Sequence, residues 1–290
     1  MLKQSVLLKG YKQLQDKNKP LLRIGKIAYT NLFPIFYMLE KGNLSEYEII
    51  EGFPSALNRM LRNGEIDISP SSSIEYLRCP DTYTIIEDHS ISSKGPIRSI
   101  FLFSRGPIEG LNGKTILTSS QSETSVALLD IILKKFYKIE CDLRPANGLL
   151  DLVMSGEAAC LLIGDDALKA KKTITGMYVY DLGDLWYENT GLPFVFALWI
   201  ARKDYSTKKA ELFERFVHDL NMAKESAMNN LNEIAQELKL LLLSRHSLVV
   251  SEEELVSYWK GISYDFRDEH QRGLEMFRKY SEELGLLNKH

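Results

Sequence analysis

The run Pro193-Phe194-Val195-Phe196-Ala197-Leu198-Trp199 leaves a turn at Thr190-Gly191-Leu192 and stays nearly unbroken in its apolar character until Arg202-Lys203. A strand with so little alternation must be covered on both faces, as in the interior of an α/β sheet. A second such run, Ile97-Arg98-Ser99-Ile100-Phe101-Leu102-Phe103, lies far upstream. The segment between the two carries its own strand and helix pattern. The chain is therefore expected to leave one lobe and later return to it, forming two lobes around a cleft. The expected boundaries are an N-terminal extension over 1–20, lobe 1 over 21–103 and 194–290, and lobe 2 over 104–193.

From Leu22 onward, short strand patterns alternate with helix patterns. Arg23 to Tyr29 reads as a strand. The helix after it has Pro34 in its first turn and Gly42 at its end, a pairing that suits helix termini. Tyr47 to Glu51 is a second strand, Pro54 to Gly64 brackets a second helix, Ile66-Asp67-Ile68 is a third strand, and Pro70 to Tyr76 signals a third helix. Repeated units of this kind predict a mostly parallel sheet. The pattern restarts at Lys114 to Leu117, followed by a helix carrying Val126, Leu129, Leu133 and Phe136 at three- and four-residue spacing. A helix around Leu149 to Met154 and strands over Ala159 to Ile163 and Met177 to Asp181 complete lobe 2. From Lys208 the chain is largely helical, with Phe213, Phe216, Val217 and Leu220 on one face, then Leu255, Val256, Tyr258 and Trp259, then Leu274, Phe277 and Tyr280. These helices are expected to pack on lobe 1.

Composition narrows the function classes. The chain has 290 residues and a net charge of −3, with no basic run interleaved with aromatics. Phosphate-driven nucleic-acid binding is therefore not expected, and a small molecule is the better partner. Cys79, Cys141 and Cys160 are widely spaced, with neither a CxxC pair nor a nearby His, so neither a disulfide framework nor a zinc site is indicated. Within Met1 to Pro20 the only apolar island is Val6-Leu7-Leu8, too short for a signal-peptide core or a membrane span. The expectation is a cytoplasmic protein with no membrane partner and no cofactor or metal. Oligomeric state is not set by any pattern.

In open α/β sheets, ligands bind beyond the carboxyl ends of the strands, so the loops there are the places for chemistry. Four are polar. Tyr29-Thr30-Asn31 follows the first strand, and Asn31 reads either as a ligand-binding amide or as an N-cap. Ser71-Ser72-Ser73 opens a helix with capping-box spacing from Ser72 to Glu75, and Thr118 to Ser125 opens another with the same spacing from Ser120 to Glu123. Each helix start offers free N–H groups and a positive dipole end to an anion. Gly164-Asp165-Asp166 combines close backbone approach with a carboxylate, although turn acids are commonly only solvated. Two hydroxyl-rich helix starts on facing lobes suit a small dicarboxylate. GxGxxG, P-loop, GxSxG and HExxH patterns are absent from the sequence. Of the five His, His218, His246, His270 and His290 lie in the helical C-terminal part, where a packed or exposed side chain is the plainer reading. His89 is left near a plausible site.

Taken in order, these segments resemble a known family. They are Tyr29-Thr30-Asn31, Gly64 to Asp67, Pro70 with Ser72 to Tyr76, Ile91-Ser92-Ser93 with Gly95-Pro96, Ser122-Glu123-Thr124-Ser125, Ile163 to Leu168, and Asp181-Leu182-Gly183 through Thr190 to Ala197. Together they resemble chorismate dehydratase of the futalosine route to menaquinone, from about Leu22 to Leu287. The resemblance implies the type II periplasmic-binding-protein-like fold, used as an enzyme inside the cell. It also implies conversion of chorismate to 3-[(1-carboxyvinyl)oxy]benzoate plus water, with the substrate's own enolpyruvyl carboxylate taking the proton. Asn31 and Ser99 are the catalytic residues it implies. Substrate binding is expected from Tyr29, Ser72, Ser73, Ser122, Thr124, Ser125, Gly164 and Asp165. The sequence departs from the family pattern at Ser71 and over Glu87-Asp88-His89-Ser90. The competing readings are a non-catalytic cytoplasmic binder of an aromatic or dicarboxylic acid, and the sister enzyme 1,4-dihydroxy-6-naphthoate synthase, which relies on a His base.

Overall fold

The computed structural model describes residues 21–119, 122–146, 156–244 and 250–288. The expectations for the extension over 1–20, for Ser120 as a cap, for the helix around Leu149 to Met154, and for His246 and His290 lie outside the described residues.

Two five-stranded sheets are built. The first holds β1 (Leu22–Ile27), β2 (Tyr47–Gly52), β3 (Ile68–Ser72), β4 (Tyr83–Ser93) and β10 (Phe194–Arg202), in the order β2-β1-β3-β10-β4. The second holds β5 (Ile100–Ser104), β6 (Thr115–Ser119), β7 (Asp142–Ala146), β8 (Ala159–Ile163) and β9 (Tyr178–Asp181), in the order β7-β6-β8-β5-β9. Strands β1, β2 and β3 are parallel, as are β6, β7 and β8. The sheets are nevertheless mixed rather than mostly parallel. Strand β10 runs antiparallel to β3 and β4, and β5 runs antiparallel to β8 and β9. The βα repeats end their strands at the cleft. A chain crossing between lobes starts its strand at the cleft, so it must run the other way.

The crossing strand differs from expectation in one respect. Regular pairing starts at Ile100, and β5 belongs to the second sheet, so the first sheet is left after Ser93 rather than at 103. Arg98 sits in the left-handed region at φ 64, which breaks any strand through Ile97 to Ser99. Strand β4 was not legible in the sequence. Its charged stretch bulges away from β10, pairing resumes from Ile85 to Ser90 across a register shift, and Asp88 has φ 57.

Helices cover the sheets. Those entering the argument are α1 (Phe33–Lys41), α2 (Pro54–Asn63), α3 (Ser73–Arg78), α4 (Glu123–Ile131), α5 (Gly164–Thr173), α6 (Leu182–Thr190), α7 (Lys203–Lys208), α8 (Ala210–Asn229), α9 (Leu231–Ser244), α10 (Glu252–Lys260) and α11 (Asp268–Glu283). Pro34 and Pro54 begin α1 and α2, and Gly42 and Gly64 cap their ends, as expected. Helix α8 packs on the first sheet, with Phe216 5.5 Å from Tyr47 and 5.9 Å from Trp199 between ring centres. The C-terminal helices do not stay on lobe 1, however. Helix α11 places Phe277 4.9 Å from Phe194 and also packs on α4, and Glu283 pairs with Lys135 at 2.5 Å. One large core, including Trp186 and Phe194, consequently joins the two sheets.

Candidate functional site

The loops at the carboxyl ends of β1, β3, β6 and β8 converge between the sheets on a cavity of about 80 Å³. It is lined by Tyr29, Asn31, Ser72, Ser99, Ser122, Ser125 and Gly164, against apolar walls that include Ile27, Leu32, Ile91, Ile97 and Phe196. Larger grooves of about 600 and 890 Å³ lie on the faces of the C-terminal helices, away from these strand ends. At about 80 Å³ the inner cavity is smaller than the pockets of about 300 Å³ or more that hold ligands, so the lobes lie close to each other around it.

Several contacts across the lobes join them there. The Ile74 N–H donates to Thr124 Oγ1 at 3.2 Å, Arg78 pairs with Glu123, and the Thr30 N–H donates to Asp165 Oδ1 at 3.4 Å. At Gly164, φ is +59, and a Cβ there would meet the Tyr29 ring at 3.5 Å. Glycine at this position therefore suits the left-handed turn, while the contact with the ring would be an ordinary one. Burial and the neighbouring Asp165 and Asp166 raise the Tyr29 phenol above its ordinary range. The Asp165 carboxyl is itself raised by burial, which the Thr30 hydrogen bond only partly offsets.

Asn31 is not a cap. Helix α1 starts at Phe33 with Leu32 before it and no side-chain capping bond. Among the described residues, the buried Asn31 Oδ1 has no partner, an expensive state for an amide oxygen unless something else fills its hydrogen-bonding capacity. Its backbone is pinned from the C-terminal part. Tyr264 donates its hydroxyl to the Asn31 carbonyl at 2.7 Å, and the Trp259 indole N–H donates to the Thr30 carbonyl at 2.8 Å. Ser99 is 3% exposed, its carbonyl accepts from the Gly164 N–H at 2.8 Å, and its side chain lies near the Tyr258 hydroxyl. Burial holds the Tyr258 phenol above its ordinary range, so it stays protonated. Asp181 fixes the segment before Ser99 by accepting from the N–H groups of Ile97 and Arg98 at 3.0 and 2.6 Å, and from Gly183 and Asp184 at the start of α6.

Three of the expected binding residues do not line the cavity. The Ser73 hydroxyl donates to the Val195 carbonyl, Thr124 accepts from Ile74 across the lobes, and Asp165 turns to the Thr30 N–H. Each has a local backbone partner that claims its polar group. The capping expectations also shift. Ser72 makes no side-chain cap, and Glu75 bonds Tyr83 at 2.8 Å and Arg62 instead. Helix α4 is capped by Ser122, which accepts from the Ser125 N–H at 3.3 Å. His89 is fully buried and held by Asn221 on α8 at 2.8 Å, and it does not line the cavity. Burial and Lys224 push its pKa down to about 4, so the ring is neutral.

Among the described residues, the cavity lining includes no His, Lys, Arg, Asp or Glu side chain. It offers amide, hydroxyl and backbone groups within apolar walls. Such a site can bind, orient and polarise a reactant, but it presents no side chain suited to strong base chemistry at neutral pH. Sequence reasoning missed Tyr258, Trp259 and Tyr264. The first two read as a packed helix face, and no local pattern ties that face to the loop at Asn31.

The fold and the chain both have relatives. The periplasmic aliphatic sulphonate-binding protein of Escherichia coli superposes with a TM-score of 0.66 at 16% identity, covering 93% of this chain and 89% of that one. At that identity the likeness shows the fold, which is the two-lobed periplasmic-binding-protein fold. Chorismate dehydratase of Thermus thermophilus is 30% identical over 278 residues, 91% of this chain and 95% of that protein. The 1,4-dihydroxy-6-naphthoate synthase of the same organism is 24% identical over 272 residues, with the same coverage. The family model described as menaquinone biosynthesis matches residues 22–283, which takes in both sheets and every loop around the cavity. This chain belongs to the menaquinone biosynthesis family.

Proposed function

We propose that the protein is a chorismate dehydratase, a hydro-lyase of the cytoplasm that converts chorismate to 3-[(1-carboxyvinyl)oxy]benzoate and water. The observation that carries this reading is an Asn31 Oδ1 with no partner among the described residues, in a narrow cavity that Ser99 also lines and whose described lining lacks a side-chain base. The reaction suits such a site. The hydrogen on the ether-bearing ring carbon is acidified through the conjugated ring carboxylate, and loss of the neighbouring hydroxyl makes the ring aromatic. The enolpyruvyl carboxylate of the substrate reaches that hydrogen and takes it. The protein's part is then to hold the reacting conformer and to stabilise developing charge. Asn31 orients the reacting region, Ser99 hydrogen-bonds a substrate oxygen, and Ser72, Ser122 and Ser125 hold carboxylates with hydroxyl and backbone donors.

The sister reading needs a His base. His89 is fully buried, bonded to Asn221 and absent from the cavity lining, which favours the dehydratase. The cavity is smaller than the roughly 300 Å³ or more usual for a ligand of this size. Substrate entry therefore requires the lobes to part and close again, which excludes water from the reacting groups.

The deciding experiment incubates EDTA-treated protein with chorismate and follows product by chromatography and mass. The expected result is formation of 3-[(1-carboxyvinyl)oxy]benzoate without added cofactor, with Asn31→Ala and Ser99→Ala each losing at least tenfold in kcat. Intact chorismate that still raises the Tm would instead make the protein a non-catalytic binder of a dicarboxylic acid.

A further inference from the structure

The neighbours of Ser72 set the polarity of its hydroxyl. This serine ends β3 and immediately precedes α3, a position where serine commonly turns its oxygen onto its own helix. It makes no such bond, and Glu75, three residues on, is engaged by Tyr83 and Arg62. What reaches Ser72 is Asn58 of α2, whose Nδ2 donates to Ser72 Oγ at 2.9 Å, with both residues buried. A hydroxyl has a single proton. With its oxygen accepting from an amide, Ser72 keeps that proton for another partner, and the residue lines the cavity. Asn58 does not line the cavity, is 6% exposed, and leaves its own Oδ1 without a partner among the described residues. Packing alone would be served as well by leucine, so the feature that distinguishes Asn58 is its N–H group.

We propose that Asn58 is a positioning residue that commits the Ser72 hydroxyl to donate into the cavity, making Ser72 a binding group for an anionic oxygen, here one carboxylate of the substrate. This rests on the dehydratase reading for the identity of that substrate. Asn58 acts through Ser72, so its effect falls on binding rather than on the chemical step.

The test is a double-mutant cycle on the full chain, using Asn58→Leu, Ser72→Ala and the pair, with turnover of chorismate and its Kd by calorimetry both measured. Asn58→Leu and Ser72→Ala are each expected to raise KM and Kd about tenfold with kcat changed less than twofold, and the pair to be no worse than Ser72→Ala. Asn58→Asp, which replaces the donor with an acceptor for the Ser72 proton, is expected to weaken binding more than Asn58→Leu does. Asn58→Ala serves in place of Asn58→Leu if the latter fails to fold. Additive effects in the cycle, a loss confined to kcat, or unchanged Kd in the Asn58 variants would overturn the proposal. If wild type binds chorismate without turning it over, the dehydratase reading fails, and this proposal is judged on Kd. If it neither binds nor turns over chorismate, both fall.

Discussion

At the scale of single residues, the informative groups are those whose polar atoms the fold leaves unspent or turns inward. Asn31 Oδ1 has no partner among the described residues, while Ser73 and Thr124, equally prominent in the sequence, are claimed by backbone groups. His89 is the clearest case of a candidate removed by its surroundings. Its ring titrates near 6.5 when unfolded and at about 4 when folded, so its contribution to stability is complete above 6.5 and is lost as pH falls towards 4. Over that window the loss amounts to at most about 3 kcal/mol. The buried carboxyls of Glu75, Asp165 and Asp181 are shifted up, so they act in the opposite sense on acidification. Comparison with His89→Gln cancels their effect. Wild type is expected to lose Tm relative to His89→Gln between pH 6.5 and 4, while His89→Gln keeps near-normal kcat for chorismate at neutral pH. A collapse of kcat in that variant would return His89 to the chemistry.

At the scale of elements, the crossing segments and the C-terminal helices decide the geometry. Helix α11 meets the turn before β10 at Gly273, where an added Cβ would lie 2.0 Å from the Pro193 carbonyl oxygen. Backbone cannot yield as a flexible side chain can, so Gly273→Ala must push the helix away from the turn. Such overpacking costs about 1–3 kcal/mol, which in a chain of this size is on the order of 5 °C in Tm. A thermal melt of Gly273→Ala checks this, and an unchanged Tm would mean that α11 does not depend on that contact. Of the strands that read clearly, β8 and β10 carry continuous apolar runs, and β1, β2 and β6 carry short apolar clusters bounded by turn and helix signals. Strand β4 was hidden because its bulge puts Glu87-Asp88 at the solvent-facing edge, and β7 because its residues are mostly exposed at the sheet margin.

At the scale of the molecule, the two lobes share one apolar core and are further joined at a narrow cavity by a few polar contacts. The Ile74 amide reports on this, because its N–H spans the lobes to Thr124 Oγ1. Thr124→Val keeps the shape and removes the acceptor, leaving a buried N–H unsatisfied at a cost of about 1–3 kcal/mol to the closed state. The expected outcome is faster hydrogen exchange at Ile74 and a KM for chorismate raised about tenfold. Exchange at Ile74 unchanged by the substitution would show that other contacts hold the lobes closed.

What the sequence determined by itself was the set of local elements and the departure and return of the chain. Apolar runs, proline starts and glycine stops act within a few residues of one another and do not need the rest of the molecule. Asn31, Ser99, Ser72, Ser122, Ser125, Tyr29 and Gly164 were also legible as a group, because each lies in a polar loop or crossing segment beside a strand, or matches a family motif. The tertiary structure decided which of these face one space and which are spent elsewhere. It turned Ser73 onto Val195, Thr124 onto Ile74 and Asp165 onto Thr30, and it brought Tyr258, Trp259 and Tyr264 from the far end of the chain to hold the Asn31 and Ser99 segments. Partners separated by 50 to 233 residues leave no local pattern, since the pairing depends on where the folded backbone places each group.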